Sequence, residues 1–219
     1  MQQELLDNAD DITEEDFSDE DDDGKKLLFI LILFGNFDFN KVFSPPLENM
    51  LRTFSQQTIK EAVKDIKALG GKIIPTEKQK EIIDRVIAKR MGFILPEIKR
   101  VTEDKIGADT YMASDKDTLK QAIRESYAVS DKRSGTIADI EQRTVRNTVR
   151  IEAAKASDVV YAVLVSDGQE FDSPCINANG QIWSLDYAGA NVLEHPRCVR
   201  NFTYLTKEQV EGLGGINVE

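Results

Sequence analysis

Residues 172–200 read DSPCINANGQIWSLDYAGANVLEHPRCVR, and they hold both cysteines and the single histidine of the 219-residue chain. Local chemistry is therefore expected to centre on this loop-rich stretch. Cys175, His195 and Cys198 are residue types that bind zinc, and the His-x-x-Cys spacing lets one turn present two of them to one ion. Asp172 would add a harder oxygen ligand. The spacing predicts a structural zinc site formed by Cys175, His195, Cys198 and Asp172.

The two cysteines also allow other interpretations. Cys175 and Cys198 can pack as buried, reduced hydrophobic side chains, and a disulfide between them is a further alternative. The N-terminus shows no signal-peptide pattern, which favours a reducing compartment. A thiol–imidazole pair with His195 would indicate a cysteine hydrolase. Because Pro196 suits a structural turn and no Gly-rich phosphate loop accompanies the pair, we expect a protein that is not an enzyme.

The residues before this stretch predict a small sheet. Residues 159–165, VVYAVLV, are β-branched and aromatic, as is typical of a strand, and 166–168 read as a turn. Residues 181–183 and 202–205 are the predicted partner strands. Trp183 is expected to be the core aromatic of this sheet.

A helix predicted over residues 136–157 carries a stripe of arginines. Arg143, Arg146 and Arg150 recur at steps of three and four residues, which stack on one side of a helix. The stripe makes Arg143 and Arg146 candidates for binding a partner such as nucleic acid. Glu141 and Glu152 lie among the arginines, which favours a salt-bridged or solvated face.

These elements together carry a family resemblance. Residues 150–153, Arg-Ile-Glu-Ala, precede the predicted strand, the Asp172-x-x-Cys175 turn, Gly180 and the closing His-Pro-x-Cys of 195–198. In this order they resemble the C-terminal motif of phage minor head proteins of the Mu F type, the head morphogenesis family. The match covers about the last third of the chain. Asp172 and Arg200 stand where that pattern often has cysteines.

The resemblance implies a function. A protein of this kind would bind the portal protein during procapsid assembly, with the major capsid or scaffolding protein as a further partner. It would lie inside the head near the portal after assembly in the host cytoplasm, with indirect contact to packaged DNA, and would influence DNA packaging or ejection. The resemblance also implies that Arg150 and Glu152 orient their helix against the sheet and that Gly180 and Pro196 are motif residues. The alternative is a zinc-stabilised adaptor whose acidic tail docks a basic partner.

The N-terminus is acidic. Residues 1–23 hold 12 of the 39 acidic residues and none of the 28 basic ones, so the remainder has 27 acidic and 28 basic residues and a net charge of +1. A like-charge block of this density repels itself. We therefore expect residues 1–24 to be a disordered tail that increases solubility, docks on a basic surface or mimics nucleic acid.

Residues 27–34, LLFILILF, form the most apolar run. Eight residues fall short of the about 20 needed to span a bilayer, so no membrane anchor is expected. Periodicity does not decide between strand and helix. The run is expected to be core, and the alternative is a surface on which Leu28, Phe29 and Phe34 dock a neighbouring subunit.

The middle of the chain reads as helical. Pro45-Pro46 predicts a helix start and Gly70-Gly71 its end; Thr76 predicts the start of a second helix, and Pro96 a break or bend. Further helices are predicted over 97–113 and 117–129, and residues 131–135 read as a break. The fold class is therefore α+β, with a mainly helical domain (25–130), a Mu F-like module of helix and antiparallel sheet (131–206) and a flexible C-terminus (207–219).

Overall fold

The computed structural model of the chain describes residues 2–13, 33–34, 38–110, 115–167, 173–193 and 198–218. The predicted α+β class is confirmed, because long helices dominate and a three-stranded antiparallel sheet lies near the C-terminus. The helices are α1 (Gln2–Asn8), followed by a 3-10 turn (Ala9–Asp11), α2 (Phe39–Ala68), α3 (Thr76–Thr110), α4 (Lys116–Lys155), α5 (Ser173–Ala178), α6 (Leu185–Ala190) and α7 (Lys207–Gly212). The strands are β1 (Ala162–Ser166), β2 (Ile182–Ser184) and β3 (Asn201–Leu205).

The long helices run further than the sequence predicts. Helix α2 begins at Phe39 and not at Pro45-Pro46, and α3 begins at Thr76 as predicted but continues through Pro96. A proline inside a helix removes one backbone hydrogen bond. Near Pro96 the Ile94 side chain is buried, and Arg100 forms ion pairs with acidic residues before and after it on the same helix.

Helix α4 is also continuous where a break is predicted. It passes through residues 131–135 and joins the two predicted helices into one of 40 residues. The chain divides into two compact units, one of residues 1–47 with 91–137 and the other of residues 48–90 with 138–219. The predicted boundary at residue 131 therefore differs from the observed division, because each unit combines two separate stretches of the chain.

The sheet has the order β2-β1-β3, and both pairings are antiparallel. Val163 of β1 is fully buried and lies opposite Trp183 on one side and Tyr204 on the other. Trp183 is buried and meets the Tyr187 ring edge to face at 4.9 Å, so it is a core aromatic as predicted. Gly180 has φ of +82°, a left-handed conformation that favours glycine, and its N–H donates to the Val165 carbonyl.

The C-terminal residues pack on the sheet and do not form the flexible end that the sequence predicts. Thr206 begins α7 with a capping box formed with Gln209. Beyond α7, Val218 bridges Trp183, and the Asn217 side chain accepts a hydrogen bond of 2.7 Å from the Ile182 backbone. The unpaired edge of β2 supplies the backbone partners that hold these residues.

Part of the predicted acidic tail is described, as the short helix α1 and the 3-10 turn after it. Leu5 of α1, Ala9 of the 3-10 turn and Ile12 directly after it are all fully buried. Lys120 pairs with the Asp10 carboxylate at 2.5 Å, which reduces the repulsion within the acidic block. Residues 1 and 14–24 of the predicted tail lie outside the described residues.

Part of the apolar run is described. Leu33 and Phe34 are helical and buried, in one cluster with Leu5, Phe39 and Ile123, and the Phe34 and Phe39 rings stack at 5.7 Å. Phe34 is therefore core and not an exposed docking residue. Leu28 and Phe29 lie outside the described residues. Within the ranges described above, no helix is both long and apolar enough to cross a membrane.

Candidate functional site

A buried cluster of two thiols and a carboxylate lies at one end of the sheet. Asp167 directly follows β1, Cys175 lies on α5, and Cys198 precedes β3; all three are at most 2% exposed. The ligand atoms of the three residues lie within 4.8 Å of one another. The two Sγ atoms are 3.9 Å apart, and Cys198 Sγ lies 3.5 Å from Asp167 Oδ2. The two cysteines are not joined in a disulfide.

Asp167 is held by its neighbours on both its backbone and its side chain. Its backbone N–H donates to the Asn179 side chain, just after α5, at 3.0 Å. Its Oδ2 accepts a hydrogen bond of 3.0 Å from Arg200 Nε, and both side chains of this ion pair are fully buried. Removing charges from water is costly unless they are paired and hydrogen-bonded. Arg200 therefore supplies the charge that allows a carboxylate at this position.

Arg200 is itself fixed by further contacts. Its Nη1 donates to the Asn191 carbonyl at 2.8 Å, and its guanidinium lies over the Trp183 ring at 4.8 Å. A planar guanidinium can satisfy all these partners at once, whereas a lysine ammonium could not. Arg200 thus places a cation next to the cluster, at a position where the Mu F-type motif often has a cysteine.

The described residues include two of the four predicted zinc ligands, and these two lie together. Cys175 and Cys198 are adjacent, as the interpretation of the spacing requires, while Asp172, His195 and Pro196 lie outside the described residues. Asp167 was missed, because its sequence neighbours read as a turn. Its position could have indicated this role. Asp167 directly follows an apolar strand, and a charged side chain at that position becomes buried when other elements pack on the strand.

The environment of Cys175 opposes a nucleophilic role. Burial raises the pKa of the Cys175 thiol to about 12, and its hydrogen bond with Asp167 and the nearby Cys198 act in the same direction. The thiolate is the nucleophilic form of cysteine. A thiol with so high a pKa stays protonated near neutral pH, which is the opposite of the activation that a cysteine hydrolase needs.

The arginine stripe of α4 faces the open edge of β3. Arg143 donates to the Cys198 carbonyl at 3.1 Å, Asn147 to the Arg200 carbonyl at 2.9 Å, and Arg150 to the Phe202 carbonyl at 3.3 Å. Alternate residues of a strand point their carbonyls to the same edge, and helix positions separated by three or four residues share a face. We call this row of three donors the edge clamp. It occupies backbone acceptors that would otherwise invite pairing with another strand.

The remaining charged residues that were singled out on α4 make different contacts. Arg150 also pairs with Asp65 of α2 at 2.8 Å and lies over the Tyr204 ring, so it does orient α4 against the sheet. Glu152 instead pairs with Arg85 of α3. Arg143 and Arg146 are both exposed, but the Arg143 guanidinium is engaged in the edge clamp, so two of the three arginines have structural contacts.

No family model, curated protein or solved structure matches this chain. Its residues and their contacts therefore carry the functional proposal.

Proposed function

We propose that the chain is a phage minor head protein of the Mu F type. In this role it binds the portal protein during procapsid assembly, enters the head interior near the portal and influences DNA packaging or ejection. It is a non-enzymatic virion component made in the host cytoplasm. The major capsid or scaffolding protein is a further partner.

The observation that carries the proposal is the grouping of the resembling motif in one small module. Arg150 of the helix element contacts β3, Gly180 makes the turn before β2, and the two motif cysteines meet 3.9 Å apart. Arg150 and Cys198 are 48 positions apart in the sequence, yet Arg150 and Arg143 of the same helix contact β3 and the residues just before it. This proximity of the two ends of the motif supports the proposal.

The contacts also refine which surface would meet a partner. The guanidiniums of Arg143, which is exposed, and of Arg150 already donate to backbone carbonyls in the edge clamp, which makes them weaker candidates for a portal or DNA contact. Arg146 lies on the same helix and is exposed. Of the three arginines, Arg146 is therefore the one that we propose to contact a negatively charged partner surface or packaged DNA.

The test is quantitative mass spectrometry of purified particles. The chain would be quantified against the portal and major capsid proteins in virions, in procapsids, and in procapsids assembled without portal. We expect low copy number in the first two and loss in the third. Absence from virions, or incorporation that does not depend on portal, would contradict the proposal.

A matched pair of variants makes the test more specific. Arg146→Ala should lower incorporation if this exposed arginine meets the portal, while leaving the fold intact. Lys207→Ala, which removes an equally exposed cation on α7, is the control and should be incorporated normally.

A further inference from the structure

We propose that Asp167, Cys175 and Cys198 bind one zinc ion, with Arg200 as the charge partner of the site. This ligand set differs from the one that the sequence spacing predicts, because its carboxylate comes from the end of β1. The proposal is independent of the head-protein function.

The distances between the donor atoms carry the inference. With bonds of about 2.3 Å to sulfur and about 2.1 Å to oxygen, a tetrahedral zinc places two sulfurs about 3.8 Å apart and a sulfur about 3.6 Å from an oxygen. The two Sγ atoms are 3.9 Å apart, and Cys198 Sγ lies 3.5 Å from the nearer carboxylate oxygen and 3.8 Å from the other. Two of the three donor pairs therefore already have the separation of zinc ligands, and the third, between Cys175 Sγ and the Asp167 carboxylate, lies within 4.8 Å.

The charges of the site also balance. Two thiolates and a carboxylate carry three negative charges, and zinc with the Arg200 guanidinium carries three positive ones. Asp167 and Arg200 have fully buried side chains, where an uncompensated charge is strongly disfavoured. Binding replaces the two S–H protons, which leave to solvent, with one divalent cation, and no oxidation or reduction takes place. A neutral, buried assembly is the result.

The donor types select the metal. Two thiolates favour zinc over magnesium or calcium, which prefer oxygen ligands. Arg200 Nε donates to Asp167 Oδ2, and the other carboxylate oxygen, Oδ1, lies 3.8 Å from Cys198 Sγ, within the separation of two zinc ligands. Three protein donors leave the fourth position of a tetrahedral zinc to another ligand.

Zinc bound here would join three separate parts of the module. The end of β1, helix α5 and the residues before β3 would share one ion, in addition to the hydrogen bonds that now connect them. Since metal ligands are rarely preformed in an unfolded chain, binding would stabilise the folded state. Thermal unfolding should therefore shift to higher temperature when zinc is added.

The experiment uses the full, reduced chain after treatment with a chelator. Cobalt(II) is the spectroscopic probe, because thiolate-to-cobalt charge-transfer absorption reports sulfur ligation and this chain has only these two cysteines. We expect one cobalt ion per chain, displacement by zinc, and slower modification of both thiols when zinc is present. Absence of the charge-transfer band in the wild-type protein would overturn the proposal without any variant.

Variants then test the ligand set. Cys175→Ser, Cys198→Ser and Asp167→Asn should each weaken cobalt binding at least tenfold, whereas Asp186→Asn, which alters an exposed carboxylate on α6, should leave it unchanged. Binding that survives Asp167→Asn but is lost with His195→Ala would overturn this set in favour of the one predicted from spacing. Circular dichroism of each variant identifies any that fails to fold, and the wild-type result then decides.

Discussion

Arg200 is the residue whose loss should most affect the buried cluster. Its side chain and that of Asp167 are fully buried, and they are joined at 3.0 Å. Arg200→Met would leave the carboxylate buried without its cation, which typically costs about 3–5 kcal/mol. We expect the free energy of unfolding, measured by urea denaturation in the absence of added metal, to fall by about this amount.

Two further variants test whether the loss of stability in Arg200→Met comes from the unpaired charge of Asp167. Lys155→Met removes the cation of an exposed ion pair with Asp186 and should change stability little. The double variant Asp167→Leu with Arg200→Met removes both charges and should be more stable than Arg200→Met alone. If the double variant is equally destabilised, packing of the long side chain against Trp183 explains the loss instead.

Tyr204 gives the module a dependence on alkaline pH. Burial raises the pKa of its phenol above the ordinary value of 10.0, while Arg150 acts in the opposite direction. The folded state thus holds the phenolic proton more tightly than the unfolded state does. The stability from this group is complete below about pH 10 and is lost as the pH rises above that value toward the folded pKa.

The measurement is the free energy of unfolding of wild type and Tyr204→Phe between pH 9 and pH 11. The wild type should lose stability relative to the variant above about pH 10, by no more than about 1.4 kcal/mol per pH unit. The phenylalanine variant also lacks the 2.6 Å hydrogen bond to the Arg150 carbonyl, which gives an offset at all pH values. Parallel curves would show that the phenol does not titrate differently on folding.

The site was only partly predictable from its residues. Cysteines are rare in this chain, so Cys175 and Cys198 could be selected by type and spacing alone. Asp167 and Arg200 are common residue types, and their roles depend on burial, which is a property of the fold. Asp167 is buried because it follows an apolar strand, and this burial is seen only in the assembled sheet.

At the scale of elements, the edge clamp explains why α4 and β3 lie together. Asn147 is 1% exposed and donates to the carbonyls of both Val192 and Arg200. Asn147→Leu keeps the size but leaves both acceptors without this donor, and each unpaired buried acceptor costs about 1–3 kcal/mol. We expect a loss of at least about 2 kcal/mol in the free energy of unfolding, with faster amide exchange in β3.

The control for this prediction lies on the same helix. Arg146→Leu replaces an exposed residue one position earlier and should change stability by less than about 0.5 kcal/mol. Equal effects of the two substitutions would indicate that helix propensity, and not the backbone carbonyls of β3, determines the outcome.

The elements differ in how well the sequence predicts them. The strands were found because β-branched residues in short runs favour extended structure locally. A break or bend at Pro96 and a break at residues 131–135 are predicted from local preferences, but α3 and α4 continue without a break through both positions. Proline and glycine penalise a helix by a few kcal/mol at most, and packing of the rest of a long helix can exceed that cost.

At the scale of the whole molecule, the charge composition of residues 1–23 leaves out the burial of individual side chains. Leu5 of α1, Ala9 of the 3-10 turn and Ile12 after it are all fully buried. Composition counts the acids but does not show where they point. The acidic side chains of Asp7, Asp10 and Asp11 are exposed, so water and nearby lysines compensate them while the apolar side packs.

A packed N-terminal segment and a disordered tail predict different results for two double variants. Leu5→Ser with Ile12→Ser removes two fully buried apolar side chains, each typically worth about 2–5 kcal/mol, from the cluster that contains Leu33 and Phe39. Asp7→Asn with Asp11→Asn changes two exposed acids and leaves that cluster complete. We expect the first pair to increase fluorescence of a dye that binds apolar surface and to speed amide exchange over residues 5–12, and the second to do neither. A disordered tail would give the same response to both pairs, because neither would then contact the fold. If only the serine pair has these effects, the apolar side chains of this segment are buried in the fold. A basic partner could then contact only the exposed acidic side chains.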